Sequence, residues 1–584
     1  MNKRNVWCWM AVVLMGTGGL AFAQDLERVK PKLPEPSQVD SKPKNETTPR
    51  SSAGIPDEEG KIFLPSLKGV VFISSMEKVA PGGREEKGVR IEGLPILSDE
   101  TAFQKSVEAY LDKPLSFAKL NEISRLAVQI YLKKGRPVVD VFVPEQSIEG
   151  GTVQWVVMEG KVGKIRATGQ KWFSGERLEG EIRSLPGGVI DGKQIEADAA
   201  WLNQNPFRQV VPTFVRGKEV GYTDIELRTQ DRFPLRTYAG YEDNGSDMTG
   251  DERWMAGFNW GDAFFLDHIL SYQFTTSSNG WHFKAHSGSY TIPVPVLKHR
   301  VTFSGSYGTS NADVPAPFQM GGESWQVGGR YNIPLPTPQA WSWLTHEASW
   351  GFDFKQSNNN LEFGGTQVFD TVTDVAQWTA GYSLSAVDPL GTTRFSANAF
   401  WSPGQWASHN HDHQFLAARN DSQADYAYVN VGGERVTKLP WDFSAVTKGS
   451  FQFADRNLLS SETLGVGGSN SVRGYDEREA NGDEGCLFSQ ELRTPAVNPL
   501  VEMGWTNARD ALQFLAFWDY GVAETWKPMW LQNKDAELSS AGGGLRYGVS
   551  SYMSVKFDYG WQLIDSGANR RYDSRGHLSV MFSY

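Results

Sequence analysis

The sequence predicts two small α+β modules followed by an all-β transmembrane barrel of about sixteen antiparallel strands. Three observations carry that expectation. The chain opens with an export signal, helical periodicity is confined to residues 69–231, and beyond Arg232 apolar and polar residues alternate with period two. Aromatics make up 12% of the 584 residues, with 21 Trp and 60 Gly. No later stretch supplies the ~20 apolar residues of a membrane helix, so a membrane crossing would have to use strands.

The export signal is read from Lys3 and Arg4, an apolar run from Val6 to Leu20, and the A-x-A site Ala21-Phe22-Ala23. Cleavage after Ala23 is expected to leave Gln24 first and to remove Cys8. Cys486 then has no intramolecular partner, so no disulfide is expected. With no histidine close by in sequence, Cys486 is read as inert rather than nucleophilic. A net charge of −11 argues against nucleic acid as the main partner.

Residues 24–66 hold Pro31, Pro34, Pro36, Pro43, Pro49 and Pro56 among charged and small polar residues. Such a segment has too little apolar surface to fold alone and reads as a linker. The first module, residues 67–160, contains the short strand 88–93 and a helix over 98–111 started by Ser98 or Asp99, with Phe103, Val107 and Tyr110 on one side. A second helix over 116–135 aligns Leu120, Ile123, Leu126, Ala127 and Ile130 and stops at Gly135. Strands near 137–144 and 151–160 complete a β-α-α-β-β unit. Residues 161–231 repeat that order, with strands at 162–169, 208–215 and 222–231 and helices near 175–184 and 191–204.

In the predicted barrel, residues 232–584, Leu270, Tyr272 and Phe274 oppose Ser271, Gln273 and Thr275. Likewise Met553, Val555, Phe557, Tyr559 and Trp561 oppose Ser554, Lys556, Asp558 and Gly560. That is the pattern of a wall with lipid outside and water inside. At roughly 22 residues per strand and connection, the region holds about sixteen strands. The chain ends in Leu578, Val580, Phe582 and Tyr584 on one face. A final strand closing on an aromatic is typical of outer-membrane barrels, which makes Phe582 and Tyr584 candidate assembly-signal residues.

One loop stands out, "GVGGSNSVRGYDEREANGDEG" over 465–485. "SVRGY", with Val472, Arg473, Gly474 and Tyr475, resembles the VRGY motif of the sixth extracellular loop in the outer-membrane polypeptide-translocator superfamily. "FWDYG", with Phe517, Asp519 and Gly521, resembles its partner strand motif, and the two modules resemble POTRA domains. "LNQNPFRQV" followed by "GYTDIEL" and "YEDNGSDMTGDERW" is similar to the module–barrel junction of TpsB transporters of two-partner secretion, of haemolysin-secretor and filamentous-haemagglutinin-transporter type. The resemblance spans about residues 69–584. It implies export of a large unfolded partner protein through the barrel, POTRA modules in the periplasm that meet that partner, and insertion into outer-membrane lipid by the barrel-assembly machinery. It implies no cofactor and no catalysis. The family's pore-plugging N-terminal helix has little room here, because Pro31 follows the stretch from Asp25 to Lys30; a periplasmic spacer is the simpler expectation.

Residue chemistry agrees with a loop held inside. If Trp518 and Tyr520 face lipid, Asp519 faces the lumen, and a carboxylate there favours a planar guanidinium partner such as Arg473. In a wet lumen that pair is expected to contribute nearer 1 kcal/mol than a buried pair would.

The rival readings are an insertase of the same superfamily, a passive porin and a barrel-borne enzyme. Insertases usually carry more than two POTRA modules, and a porin leaves the modules unexplained. Neither a G-x-S-x-G elbow nor an H-E-x-x-H zinc motif occurs. His409, His411 and His413 in "HNHDH" are read as a polar loop rather than a metal site.

Overall fold

The computed structural model describes residues 29–33, 61–246, 248–338, 341, 343–363, 366–505, 509–530, 532–567 and 570–584. The signal segment, its cleavage site and most of the proline-rich stretch lie outside the described residues. Two compact units divide at Pro234, one holding the modules and one the barrel together with the N-terminal residues.

The first module starts slightly before the expected boundary, with β1 (Ile62–Leu64) pairing β4 (Leu115–Ser116). Its main sheet runs in the order β3 (Gly88–Glu92), β2 (Gly69–Ile73), β6 (Thr152–Glu159), β5 (Val139–Phe142). Strand β2 is the element that pattern reading passes over. It is buried on both faces, Val70 and Phe72 in the helix-covered core and Val71 and Ile73 on the other face, in a cluster with Val156. A strand buried on both sides shows a continuous apolar run and no alternation.

Ser116 caps the long helix Phe117–Lys133, accepting the Lys119 N–H, and Gly135 at φ +81° follows its end. This helix buries Ile123, Ala127 and Tyr131, while Leu120, Leu126 and Ile130 pack partly buried beside them. The preceding helix is shorter than expected. It covers Thr101–Glu108 after a separate turn at Pro95–Ser98, because Glu100 at ψ 85° breaks the run, and neither Ser98 nor Asp99 caps it. In the second module the sheet order is β7 (Lys161–Thr168), β9 (Tyr222–Asp231), β8 (Arg208–Arg216). Its helices cover Gly175–Gly180 and Gly192–Leu202, the latter capped by Asp191.

The barrel closes with sixteen strands, each antiparallel to its neighbours. They begin with β10 (Leu235–Glu242), β11 (Arg253–Ala263), β12 (His268–Thr276), β13 (Phe283–Val294) and β14 (His299–Ala312). Next come β15 (Phe318–Pro334), β16 (Leu344–Phe363), β17 (Thr366–Asp388), β18 (Gly391–Pro403), β19 (Asp425–Lys438) and β20 (Ser444–Ala454). A small hairpin, β21 (Leu464–Val466) with β22 (Ala480–Gly482), lies in the next connection and outside the barrel sheet. The wall resumes with β23 (Glu484–Arg493), β24 (Asp510–Glu524), β25 (Asp535–Val549), β26 (Met553–Gln562) and β27 (Ser574–Ser583).

Face assignment follows parity. Ser271, Gln273 and Thr275 are buried inward, as are Asp558 and Gln562, while Tyr559 and Trp561 point outward and exposed. Cys486 sits in the barrel wall, on β23, as a free thiol.

Closure joins Tyr238–Glu242 of β10 to Ser579–Ser583 of β27. Tyr584 extends the seam by donating its N–H to the Thr237 carbonyl (2.9 Å) and accepting the Thr237 N–H (3.0 Å). Removing Tyr584 deletes both bonds, a loss on the order of 1–3 kcal/mol at the closing edge. The expected result is a lower heat-modifiable, folded fraction in outer-membrane preparations. A normal fraction would show that the terminal residue does not contribute to closure.

Residues 29–33 correct the spacer expectation. They lie against the inner wall of the barrel, where Val29 packs on Phe283 and Ala285 and Lys32 pairs with Glu242 at 3.0 Å. Composition concealed this, since the Lys32 N–H and carbonyl and the Val29 carbonyl take part in the attachment.

Candidate functional site

The connection from β20 to β23, residues 455–483, folds into the barrel. The hairpin β21–β22 forms its stem, and Gly467 and Gly468 turn the chain at φ +107° and +101°. At the tip stands Arg473, 5% exposed at its side chain, against Asp519 of β24 at 0%.

The geometry is a fork on a carboxylate. Arg473 Nε donates to Asp519 Oδ2 (2.7 Å) and Nη2 to Oδ1 (2.8 Å), and the Arg473 backbone N–H also donates to Oδ2 (3.1 Å). Nη1 donates to Glu491 Oε1 (2.7 Å), and Asp558 lies 3.5 Å away. Ser489 Oγ donates to Asp519 Oδ1 (2.6 Å). Beneath the guanidinium, the Phe517 ring centre is 3.6 Å from its central carbon, a cation–π contact. The surplus of acid around Arg473 is balanced by Arg493 on Glu491 and Arg546 on Asp558.

The other motif residues build the seat. Val472 and Tyr475, both 0% exposed, pack with Val466, Ala523 and Leu538. The Tyr475 hydroxyl lies 2.6 Å from the Ile564 carbonyl and 3.0 Å from that of Ser539. Gly474, at φ +90°, donates its N–H to His577 Nε2 (3.1 Å) and accepts from Gln562 Nε2 (2.7 Å). A Cβ on Gly474 would lie 2.8 Å from the Gly560 backbone. Gly521 leaves room for the loop, since a Cβ there would meet Val466 at 2.5 Å and Val472 at 2.9 Å. The structure thus brings Val472, Arg473, Gly474, Tyr475, Phe517, Asp519 and Gly521 together. Phe582 and Tyr584 lie elsewhere, exposed at the seam.

The expected screening by a wet lumen does not hold at this pair. With both partners almost fully buried, removing one leaves an uncompensated charge, which costs about 3–5 kcal/mol rather than about 1.

Sequence reading missed Glu491, Ser489, Asp558, Gln562, Gly560 and His577, which come from β23, β26 and β27. Inward parity was their only signal, and parity alone does not say which loop residue each one meets. It also missed two anchors at the loop's base. Glu462, 0% exposed at its side chain, accepts from Lys355 Nζ (3.0 Å), Tyr428 (2.7 Å) and Gln377 (3.1 Å). Asp483 accepts from Arg419 and from the backbone N–H groups of Leu458 (2.8 Å) and Trp526 (3.0 Å). The loop is pinned at both ends, with the tip on β23–β27 and the base on β16, β17 and β19.

The three histidines do not converge. His409 faces Asp374 at 3.3 Å, while His411 and His413 stack at 5.8 Å at the start of the short helix Asp412–Ala418. Among the described residues no group of three or more His, Cys, Asp or Glu is arranged to hold a metal.

Comparison with known proteins agrees with this architecture. Residues 221–547 match the family described as haemolysin secretion/activation protein ShlB/FhaC/HecB, and residues 86–160 match the ShlB-type POTRA domain. The heme/hemopexin transporter protein HuxB of Haemophilus influenzae is 23% identical over 484 residues, 79% of this chain and 80% of that protein. The outer membrane transporter CdiB of Dickeya dadantii is 22% identical over 475 residues, 80% of each chain. Among solved structures, CdiB from Escherichia coli aligns with a TM-score of 0.70 at 17% identity, covering 92% of this chain and 93% of that one. CdiB from Acinetobacter baumannii aligns at 0.60, also with 17% identity, over 96% and 95%.

Proposed function

We propose, on the premise that this chain belongs to the ShlB/FhaC/HecB family of haemolysin secretion/activation proteins, that it exports one large partner protein in extended form and needs its docked loop to do so. The chain is an outer-membrane transporter of two-partner secretion, with its POTRA modules in the periplasm. Its cargo is a haemolysin- or adhesin-like protein that folds outside the cell, and the barrel-assembly machinery inserts the barrel into outer-membrane lipid.

The observation that carries the role of the loop is the buried Arg473–Asp519 fork. A barrel does not need it for closure, because its backbone ladder is complete without the loop. An ion pair that is costly to bury and dispensable for the fold is best explained by the position it imposes. Here it holds a loop inside the conduit. The direct test is genetic: deletion of this chain should abolish surface exposure of a large exported protein, and complementation should restore it. Unchanged surface proteins after deletion would refute the export role.

Capture of the partner is assigned to a sheet edge in the modules, by addition of an extended strand. The two main sheets offer four edges, and three are guarded. Pro212 removes a donor from β8, Lys161, Lys164 and Arg166 line β7, and β3 carries the Arg84–Glu92 and Arg90–Glu86 ion pairs. Strand β5, Val-Asp-Val-Phe, has neither proline nor a cation. Val141→Pro in the full-length transporter should weaken capture of an unfolded partner segment about fivefold or more, by loss of a backbone donor. Equal binding would move the capture site to another edge.

A further inference from the structure

In the second module, the turn that leads from β7 into the helix Gly175–Gly180 is built to hold a tryptophan out in solvent. Gly169 starts it at φ +87°, where a Cβ would lie 2.6 Å from the Thr229 carbonyl oxygen. The Asp231 carboxylate, at the end of β9, then accepts three consecutive backbone N–H groups, those of Lys171 (2.9 Å), Trp172 (2.7 Å) and Phe173 (3.1 Å). Phe173 turns inward and is buried, with the Arg208 guanidinium 4.8 Å from its ring centre. Ser174 caps the helix, accepting the Arg177 N–H. The backbone donors of 171–173 are all satisfied beneath the turn, yet the Trp172 side chain stays 51% exposed.

A large ring left in water forgoes the free energy that burial would recover, and a rigid mount gives it a fixed outward aim. Trp172 is not alone there. Phe233, 55% exposed, meets it edge-on with ring centres 4.9 Å apart. Phe233 is also the last residue of the module unit. Pro234 follows, and β10 opens at Leu235, which is exposed. Arg236 and Tyr238 point inward to Asn259 and Gln273, so Leu235 lies on the lipid-facing parity of the strand. Two residues of extended chain span about 7 Å, which places Phe233 at the level where the wall enters the bilayer. Aromatic side chains favour that level, with the ring at the acyl boundary and a polar edge among the headgroups.

We propose that the Trp172–Phe233 pair is a lipid anchor that seats the second module on the phospholipid surface of the inner leaflet. The anchor requires only a barrel in the outer membrane, and it is independent of which partner is exported. Its ligand is the headgroup–acyl boundary itself, recognised by uncharged ring area rather than by one headgroup.

The test uses the full-length protein, without any partner, in nanodiscs of phosphatidylethanolamine and phosphatidylglycerol. In a Cys486→Ser background the environment-sensitive fluorophore NBD is attached at Lys171→Cys, exposed beside Trp172. The control label is at Val220→Cys, 83% exposed just before β9, whose 10 residues separate it from Asp231 by roughly 30 Å. A nitroxide carried on the lipid headgroups should quench the label at 171 about threefold more than the label at 220. Trp172→Ser should bring 171 down to the level of 220, and Trp172→Tyr, also an interfacial residue, should keep most of the quenching. In a lipid-free amphipol, the blue shift that the label at 171 shows in nanodiscs should disappear. Equal quenching at 171 and 220 would overturn the proposal, as would excess quenching that survives Trp172→Ser. A blue shift that persists in amphipol would overturn it as well, by assigning the pair to a protein surface.

Discussion

Arg473→Ala is expected to cut partner secretion at least a hundredfold while leaving the amount of heat-modifiable barrel near normal. The substitution strands Asp519 in a buried site, while Glu491 keeps Arg493 and Asp558 keeps Arg546. Breaking a pair buried this deeply costs about 3–5 kcal/mol, which corresponds to roughly 10²–10³ or more in the docking equilibrium of the loop. The barrel has its continuous backbone ladder to rely on and should not notice. Asp519→Ala should act in the same direction but less severely, since Glu491 still holds Nη1. Arg473→Lys keeps the charge and loses the fork, so secretion should fall between wild type and Arg473→Ala. Surface-exposed partner measured per folded barrel reads all three. If Arg473→Ala secretes normally, the ion pair has no part in transport.

The second large effect needs no charge at all. Gly560 on β26 touches the loop tip backbone to backbone, and a Cβ there would lie 2.8 Å from the Arg473 carbonyl oxygen and 2.9 Å from the Gly474 nitrogen. Main-chain atoms cannot rotate away, so Gly560→Ala should lift the tip off the wall with Arg473 and Asp519 both present. Gly474→Ala adds a left-handed φ of +90° to the same clash, a further roughly 1–2 kcal/mol. Both should reproduce the secretion defect of Arg473→Ala. Gly576→Ala is the control, because its nearest neighbours are the Phe557 and Tyr559 rings at 3.5–3.6 Å. It should secrete normally. Normal secretion by Gly560→Ala would mean that transport tolerates an undocked tip.

Much of this was legible in the residue pattern, for reasons that differ by element. Alternation in "ALQFLAFWDYG" put Asp519 on the inner face because side-chain direction in a strand is fixed by parity. Chain length set the strand number, since strands of 8 to 23 residues and their unequal connections still average about 22 residues per strand. The strand Gly69–Ile73 was not legible, because burial on both faces erases alternation. Glu491, Asp558 and His577 were recognisable as inward residues but not as partners of Arg473. That requires knowing where a 29-residue connection, 455–483, places its tip, which no local pattern encodes. Residues 29–33 escaped for a related reason. Their attachment runs in part through the backbone atoms of Val29 and Lys32, which every sequence possesses, so composition pointed to a linker.

The most direct measurement is disulfide trapping of the loop tip on the wall in intact cells. In a Cys486→Ser background, the double variant Asp476→Cys/Arg575→Cys, bridged by a short bis-methanethiosulfonate reagent, places two thiols on a loop residue and a wall residue whose side chains are in contact, and leaves Arg473 and Asp519 in place. A docked tip predicts that most of the folded barrel carries the crosslink, seen as a mobility shift that reductant reverses. Single variants should show none. Folded barrel in which both thiols remain free and open to labelling would contradict a loop held inside.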